Sequence, residues 1–263
     1  MAYFTGTITD YSKFVQAFHS ISGLDLNFYK ENQMKRRILN FMSQRGYQEN
    51  YTDFIRNLNQ DQVLYDAFFK HLTINVTQFF RDVKQWDIFR ETIIPTLLKS
   101  RSSLRIWSAG CSAGQEACTM GIILTEYFPN VNYSIVGSDI DTNVLKQAQC
   151  GVYDEKDFAS TPPKLIDKYF TVQNKRYQIS QNIAKNITYK MQNLLTDRFE
   201  RSFDLIACRN VVIYFTDDAK DTLYKKFTDS LNPGGILFTG STEHLFSKGQ
   251  LGLNTVSSFF YQK

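Results

Sequence analysis

Cysteine, histidine and proline are all scarce in this 263-residue chain. The four cysteines, Cys111, Cys118, Cys150 and Cys208, form no C-x-x-C pair, and the three histidines, His19, His71 and His244, are scattered. Structural and catalytic metal centres need such ligands clustered, so no metal site is expected. Isolated thiols suit a reducing compartment. The opening Met1-Ala-Tyr-Phe-Thr has neither the basic segment nor the apolar stretch of a secretory signal, so a cytoplasmic location is expected. Five prolines and thirteen glycines argue against long disordered tracts. No apolar run approaches the roughly 20 residues of a membrane helix, which argues against direct membrane insertion. A net charge of +4 is too small to imply nucleic acid by itself. Repeats and low-complexity segments are absent.

Hydrophobic residues make up 43% of the chain, enough for a full core. The pattern changes near residue 104. From about 10 to 90 it is helical: Tyr11, Phe14, Val15 and Phe18 recur at helical spacing. Leu26 to Arg45 puts Met34, Ile38, Phe41 and Met42 on one face, with Gly46 following as a C-cap glycine would. Asp53 to Leu58 and Gln62 to Leu72 predict two more short helices, and no alternating strand stands out. From Leu104 onward, short apolar runs alternate with helical stretches. Strands are predicted at Leu104 to Ser108, Tyr133 to Asp139, Ile187 to Met191, Phe203 to Cys208 and Gly235 to Gly240. Helices are predicted at Glu116 to Tyr127 and Thr142 to Gln149. This alternation implies an α/β fold, a parallel sheet with helices on both faces. Gln173 to Ile179 reads as a small polar excursion from that sheet, and Asn232-Pro-Gly-Gly235 as a turn into a strand.

Ligands of open parallel sheets bind beyond the carboxyl ends of the strands, where strand order reverses. The loop after the first strand reads Ser108-Ala-Gly-Cys-Ser-Ala-Gly-Gln-Glu116. Gly110 and Gly114 would let the backbone adopt positive φ and approach a ligand closely. Their G-x-x-x-G spacing is neither a dinucleotide fingerprint nor a P-loop, and no Gly-Lys-Ser/Thr follows. Asp139 ends the second strand, where Rossmann-like folds place the acid that grips a ribose diol. A charged acceptor on a buried hydroxyl contributes roughly 1.5–3 kcal/mol. Glu116 opens the helix after the loop and could pair with an ammonium such as that of S-adenosylmethionine. Its plainer role is a helix N-terminal carboxylate, favourable by about 0.3–1 kcal/mol. Asp139 could equally be a turn residue, while Asp141 is the expected cap of the next helix.

Five ordered motifs then make the chain recognisable. They are Thr73-Ile-Asn-Val-Thr-Gln-Phe-Phe-Arg81, Trp107-Ser-Ala-Gly-Cys-Ser-Ala-Gly-Gln-Glu116, Gly137-Ser-Asp-Ile-Asp141, Asn193-Leu-Leu195 and Cys208-Arg-Asn-Val-Val-Ile-Tyr-Phe215. With them the chain resembles the bacterial chemotaxis receptor glutamate methyltransferases, the CheR family, from roughly Phe18 to Lys263. The resemblance implies a small N-terminal all-α domain (1–85), a linker (86–103) and a Rossmann-like S-adenosylmethionine methyltransferase domain (104–263) carrying a small β-subdomain at about 168–190. It also implies that Asn75, Thr77 and Arg81 reach the cofactor and reaction centre. Gly110 would lie in the cofactor loop, and Glu116 and Asp139 would hold the amino group and ribose. Asn193 and Leu194 would flank the adenine, Asn210 and Val211 would line the methyl side, and Tyr214 would stand near the acceptor.

The implied reaction moves a methyl from sulfonium to a glutamate carboxylate, leaving S-adenosylhomocysteine. Glutamate, with an ordinary pKa of about 4.3, is already ionised at pH 7, so no general base is needed. Arg81 and Tyr214 are the expected catalytic residues. Arginine's planar fork matches a carboxylate. Two charges 4 Å apart interact by about 4 kcal/mol at an effective dielectric near 20, so Arg81 is assigned orientation and closure, not charge neutralisation. The plain alternative is a surface ion pair with Asp82 or a neighbouring acid. Lys30, Lys35, Arg36 and Arg37, with Arg45, form a basic collar expected to meet the acidic cytoplasmic helices of a receptor; the plain alternative is a solvated helix face. Thr171 to Ser180 is short and has no glycine, resembling family members that do not tether to a receptor's C-terminal pentapeptide. A monomer is expected.

One loop departs from the family. Its usual S-T-G-E-E-P-Y is Ser112-Ala-Gly-Gln-Glu-Ala-Cys118 here. A preset φ at the helix start is lost with the proline, and a ring beside the cofactor is lost with the tyrosine. The alternatives are a non-catalytic S-adenosylmethionine- or receptor-binding module, which this loop would suit, and a methyltransferase of another substrate, a small molecule or RNA.

Overall fold

In the computed structural model, residues 7–245 and 248–263 are described. The chain forms two compact units: one up to Asn75 with Tyr214–Ala219, the other Val76–Ile213 with Lys220–Lys263.

Helix capping sets the elements of the first unit. Asp10 accepts from Lys13 N (2.9 Å) to open α1 (Tyr11–Ser22), and Gly23, at φ +69°, ends it. α2 (Glu31–Gln44) buries Met34, Ile38, Phe41 and Met42, the face given by their spacing. It begins later than predicted, because Leu26–Phe28 make a separate 3-10 turn capped by Asp25. Asn50 caps α3 (Tyr51–Gln60) and Asp61 caps α4 (Gln62–Thr73). The helices close on an aromatic core in which Phe68 meets the edges of Phe18 and Phe54, centroids 5.3 and 4.9 Å apart. Tyr214–Ala219 joins this unit through backbone and ring contacts: Lys30 N donates to Tyr214 O (2.9 Å), and Phe215 meets Tyr29 at 5.1 Å.

The second unit starts with α5 (Val83–Ile88), a π-helical turn (Phe89–Ile93) and α6 (Ile94–Leu98). Then come β1 (Ser103–Ala109), α7 (Gln115–Tyr127), β2 (Asn132–Asp139), α8 (Thr142–Cys150) and β3 (Val152–Asp154). α9 (Pro163–Tyr169), β4 (Phe170–Gln173), β5 (Arg176–Ile179), α10 (Gln181–Ala184), β6 (Ile187–Met191) and β7 (Phe203–Cys208) follow. α11 (Asp217–Ser230), of which the part from Lys220 belongs here, β8 (Leu231–Thr239), β9 (Asn254–Ser257) and β10 (Phe260–Gln262) complete it. The main sheet has the order β6-β2-β1-β7-β8-β10-β9. Its first five strands run parallel, and β10 is antiparallel to β8 and β9. Chain order reverses between β1 and β7, which creates a switch-point crevice. All six residues of β7 are buried, as a central parallel strand requires. Among the described residues no helix is long and apolar enough to cross a membrane.

Four boundaries differ from expectation. The units divide at Asn75/Val76 instead of 85/86, because Phe79, Phe80 and Trp86 are buried in the core of the second unit. Residues 86–98 are helical, not linker, and Phe89, Ile93, Ile94 and Leu97 belong to the same core. The small sheet, β3-β5-β4, draws β3 from before the 168–190 span, while β6 pairs with β2 in the main sheet. Asn232–Gly235 is the irregular start of β8, where the register with β7 shifts. There Asn232 Nδ2 donates to Asp204 Oδ1 and Arg101 Nη2 to Pro233 O, which hold the kink in place.

Candidate active site

The loop after β1 is tied to the end of β2. Gly110 N and Cys111 N both donate to Ser138 O, at 2.8 and 2.9 Å. Gly110 has φ +78°, and a Cβ there would lie 2.5 Å from Val211 Cγ2, so only glycine fits. Gly114, at φ +89°, precedes α7, and a Cβ would lie 2.6 Å from the Tyr189 hydroxyl. Asp139, buried at the end of β2, accepts from Ser112 N through Oδ2 (2.8 Å) and from Asp141 N through Oδ1 (3.0 Å). Burial pushes its carboxyl above the ordinary value, while those two N–H groups pull it down. Asp141 also caps α8 through Asn143 N. Ser112 Oγ and Gln115 Oε1 are buried without a hydrogen-bond partner. An orphaned polar atom costs about 1–3 kcal/mol. Two of them in a glycine loop, one on the residue whose N–H meets the buried Asp139 carboxylate, fit a polar, ribose-bearing ligand.

Glu116 is held from both sides at the start of α7. Its Oε1 accepts from Ser108 Oγ (2.7 Å), and its Oε2 faces Arg209 Nη1 (3.3 Å). The Arg209 side chain is 2% exposed. Its guanidinium stacks on Trp86 and Phe238, 5.0 and 4.7 Å from the ring centroids. It also donates to Asp82 Oδ2 (2.9 Å) and Arg81 O (3.1 Å). Arg209 thus fastens the end of β7 to the start of α7 and to the backbone of Arg81. It is absent from the residues expected from sequence, though a cation directly after the apolar strand Phe203–Cys208 is a visible signal.

Arg81 sits between two residues in the left-handed region, Phe80 (φ +54°) and Asp82 (φ +63°). A bulky residue there is strained by of order 1–3 kcal/mol, and such strain gathers at functional sites. The surroundings enforce it: Phe80 N donates to Thr119 Oγ1 (3.2 Å) and Trp86 Nε1 to Arg81 O (2.8 Å). Arg81 Nη1 donates to Val76 O (3.0 Å), and Asp82 pairs with Arg209, so the plain Arg81–Asp82 ion pair is not what forms. Thr77 lies half-buried in the same stretch. Asn75 falls in the first unit, where its side chain donates to Thr73 Oγ1 (2.9 Å).

Two further loops complete the carboxyl edge. Asn193 folds back, accepting from Leu195 N (3.0 Å) while its own N donates to Asp197 Oδ2 (2.8 Å). Leu194 is buried, and Lys226 Nζ donates to its carbonyl (2.9 Å). Asn210, at φ +60°, donates its N–H to Glu243 Oε2 (2.6 Å), and Val211 packs against Gly110. Glu243, like Arg209, is absent from the expected set.

The altered pair Ala117–Cys118 is fully buried. Cys118 Sγ lies 3.5 Å from the Tyr153 hydroxyl and 3.6 Å from that of Tyr189. Tyrosines from β3 and β6 occupy the space beside it.

The remaining expected residues lie in the first unit. Tyr214 belongs there, in a short 3-10 turn. Lys35 and Arg36 are exposed on α2, and Lys30, half-buried, precedes it. Arg37 turns inward instead: Nη2 donates to His71 O, and His71 Nε2 lies 3.1 Å from Arg37 O. Burial pushes the Arg37 guanidinium down from its ordinary value.

A glycine loop after the first parallel strand, an acid ending the second, and a β10 that runs antiparallel beside β8 make a switch-point crevice suited to a nucleoside-bearing cofactor. Residues 75–258 match the family described as CheR methyltransferase, SAM binding domain, and residues 9–73 match CheR methyltransferase, all-alpha domain. The chain is 40% identical over 255 residues to a "Chemotaxis protein methyltransferase" of Listeria innocua, covering 97% of each chain. It is 29% identical over 271 residues to a protein of the same description from Borreliella burgdorferi, covering 98% of this chain and 95% of that one. The chain therefore belongs to the CheR methyltransferase family, and its cofactor is S-adenosylmethionine.

Proposed function

We propose that the protein methylates glutamate side chains in the cytoplasmic helical domain of chemotaxis receptors. The observation that carries this is the Arg209 lock, which joins the cofactor loop at Glu116 to the strained backbone presenting Arg81. The cofactor, when bound, supplies a methyl carried on a sulfonium. Asp139 accepts from the ribose hydroxyls, and Glu116 contributes its remaining lone pairs to the amino group. Gly110 leaves room for Val211, so the cofactor loop can close on the turn that follows β7. Asn193 and Leu194 flank the adenine, while Asn210 and Val211 line the methyl side. Asn75 and Thr77 lead into the Arg81 segment.

A carboxylate already ionised at pH 7 needs no base. It needs to be held in line, and a near-attack geometry contributes about 7–11 kcal/mol. Arg81 and Tyr214 orient it. Lys35 and Arg36, with Lys30, offer exposed cations to acidic helices, which favours encounter more than final affinity. Arg37 supports α2 from within. The short β4–β5 hairpin suits a pentapeptide-independent enzyme, and the protein works as a cytoplasmic monomer. Tyr153 and Tyr189, packed beside Cys118, support an intact site over a non-catalytic module.

The test is transfer of labelled methyl from the cofactor to a purified receptor cytoplasmic fragment. Alkali-labile label on the fragment is expected, together with loss of label in Arg81→Ala at unchanged melting temperature. Absence of transfer by the wild-type protein, or normal transfer by Arg81→Ala, contradicts the proposal.

A further inference from the structure

Glu243 lies beyond β8, in a segment to which no role has been assigned. It is nearly fully buried, 4% exposed. Oε2 accepts from Asn210 N (2.6 Å) and Gly240 N (2.9 Å), and Oε1 accepts from Ile213 N (3.3 Å). These N–H groups come from two separate loops, one after β7 and one after β8. The two strands are neighbours, with Cys208 opposite Thr239 at their carboxyl ends. One carboxylate therefore bridges both loops at the edge where the cofactor crevice opens.

Burying a carboxylate is costly, and packing alone would be served better by an apolar side chain. Burial pushes the Glu243 carboxyl upward, and the backbone N–H groups of Asn210, Gly240, Ile213 and Val212 oppose that. The surroundings are shaped around it. A Cβ on Gly240 would fall on Glu243 Oε2 and come within 2.9 Å of Asn210 N. Asn210 itself is in the left-handed region, φ +60°, where a fixed N–H partner stabilises an otherwise unfavourable backbone. The next residue, Val211, packs against the position that Gly110 leaves open in the cofactor loop. The held turn is thus the one that meets the cofactor loop.

We infer that Glu243 is a positioning residue for methyl transfer: its carboxylate fixes the backbone of Asn210–Ile213 and so sets Asn210 and Val211 against the reacting side of the cofactor. The inference rests on the methyltransferase reading above. It concerns alignment and not affinity, so it predicts a split between kcat and KM.

The test compares wild-type protein with Glu243→Gln, which keeps the volume but turns one acceptor into an N–H₂ facing backbone donors. Labelled methyl transfer to a receptor fragment gives kcat and cofactor KM, and calorimetry gives S-adenosylhomocysteine affinity. A small misplacement at a reaction centre costs on the order of tenfold to a hundredfold in rate, and that fall in kcat is expected. Cofactor KM and product affinity are expected to stay within about threefold, well under the tenfold that 1.4 kcal/mol represents. Gly240→Ala displaces the same oxygen and carries the same expectation should Glu243→Gln not fold. Unchanged kcat in the folded variant overturns the inference, whatever happens to its melting temperature. So does a loss confined to cofactor affinity. If wild-type protein transfers no methyl, the methyltransferase reading falls and this inference with it; an active wild type with an equally active variant removes the inference alone.

Discussion

Replacing Arg209 with methionine should destabilise the second unit by about 3 kcal/mol. The guanidinium is 2% exposed and answers two carboxylates, Glu116 and Asp82, as well as the Arg81 carbonyl. Removing one partner of a buried ion pair costs about 3–5 kcal/mol, chiefly because the other charge is stranded. Asp82, 35% exposed, can recover water, whereas Glu116, 12% exposed, recovers little, so the lower end applies. Methionine keeps much of the packing against Trp86 and Phe238, which isolates the polar loss. For a unit of this size 1 kcal/mol is about 2–4 °C, so the melting temperature should fall by about 6–12 °C. The assay is favourable, since both tryptophans, Trp86 and Trp107, are buried in the second unit and report on it alone. Arg209→Lys keeps the charge but loses the fork, and should fall between the two. A melting temperature for Arg209→Met within about 2 °C of wild type would refute the lock.

Asp139 and Glu243 both sit above the ordinary carboxylate range because they are buried, so the folded protein holds their protons to higher pH than the unfolded chain. Their contribution to stability therefore declines as pH rises from the unfolded to the folded value. If ionised Asp139 holds the ribose as proposed, S-adenosylhomocysteine affinity should instead weaken as pH falls through that window; calorimetry across pH should show this, and Asp139→Asn should bind weakly with a flat profile. Gly110→Ala places a methyl 2.5 Å from Val211 Cγ2 at positive φ, and the backbone alone costs about 1–2 kcal/mol. Product affinity should drop at least tenfold by the same calorimetry. Tyr189→Phe, which loses a hydroxyl beside Cys118, should raise cofactor KM less than Tyr189→Ala, which empties the floor under Gly114 and Gly137. Lys35→Glu with Arg36→Glu should slow receptor methylation and flatten its salt dependence without lowering the melting temperature, whereas Arg37→Ala should lower it by releasing the His71 carbonyl.

The parts of the fold that local pattern controls were readable. β6 and β7 match their predicted limits, β1 and β2 match to within about a residue, and the α2 face is the one its spacing gives. Long-range events were not. The break at Tyr29 depends on a bridge to Phe215, and β3, with three residues, carries too little pattern to stand out. The helices of 83–98 are interrupted by a π-helical turn, which spoils the 3.6-residue period that would otherwise mark Trp86, Phe89, Ile93 and Leu97 as core. In the site, the glycines and Asp139 announce themselves through strand-end position. Arg209 shows only as a cation after an apolar strand, and Glu243 not at all, because most of their partners lie far along the chain: Glu116 and Asp82 for one, Asn210 and Ile213 for the other. A buried charge is recognisable only once its partners are in place.

The measurement that reaches the central claim most directly is the identity of the methylated atom. A receptor cytoplasmic fragment treated with the protein and S-adenosylmethionine, digested and sequenced by mass spectrometry, should carry methyl esters on glutamate side chains, removed by mild alkali and absent with Asp139→Asn. Methyl groups found on other residue types, or on no residue of the receptor while the protein still binds S-adenosylhomocysteine, would contradict the account.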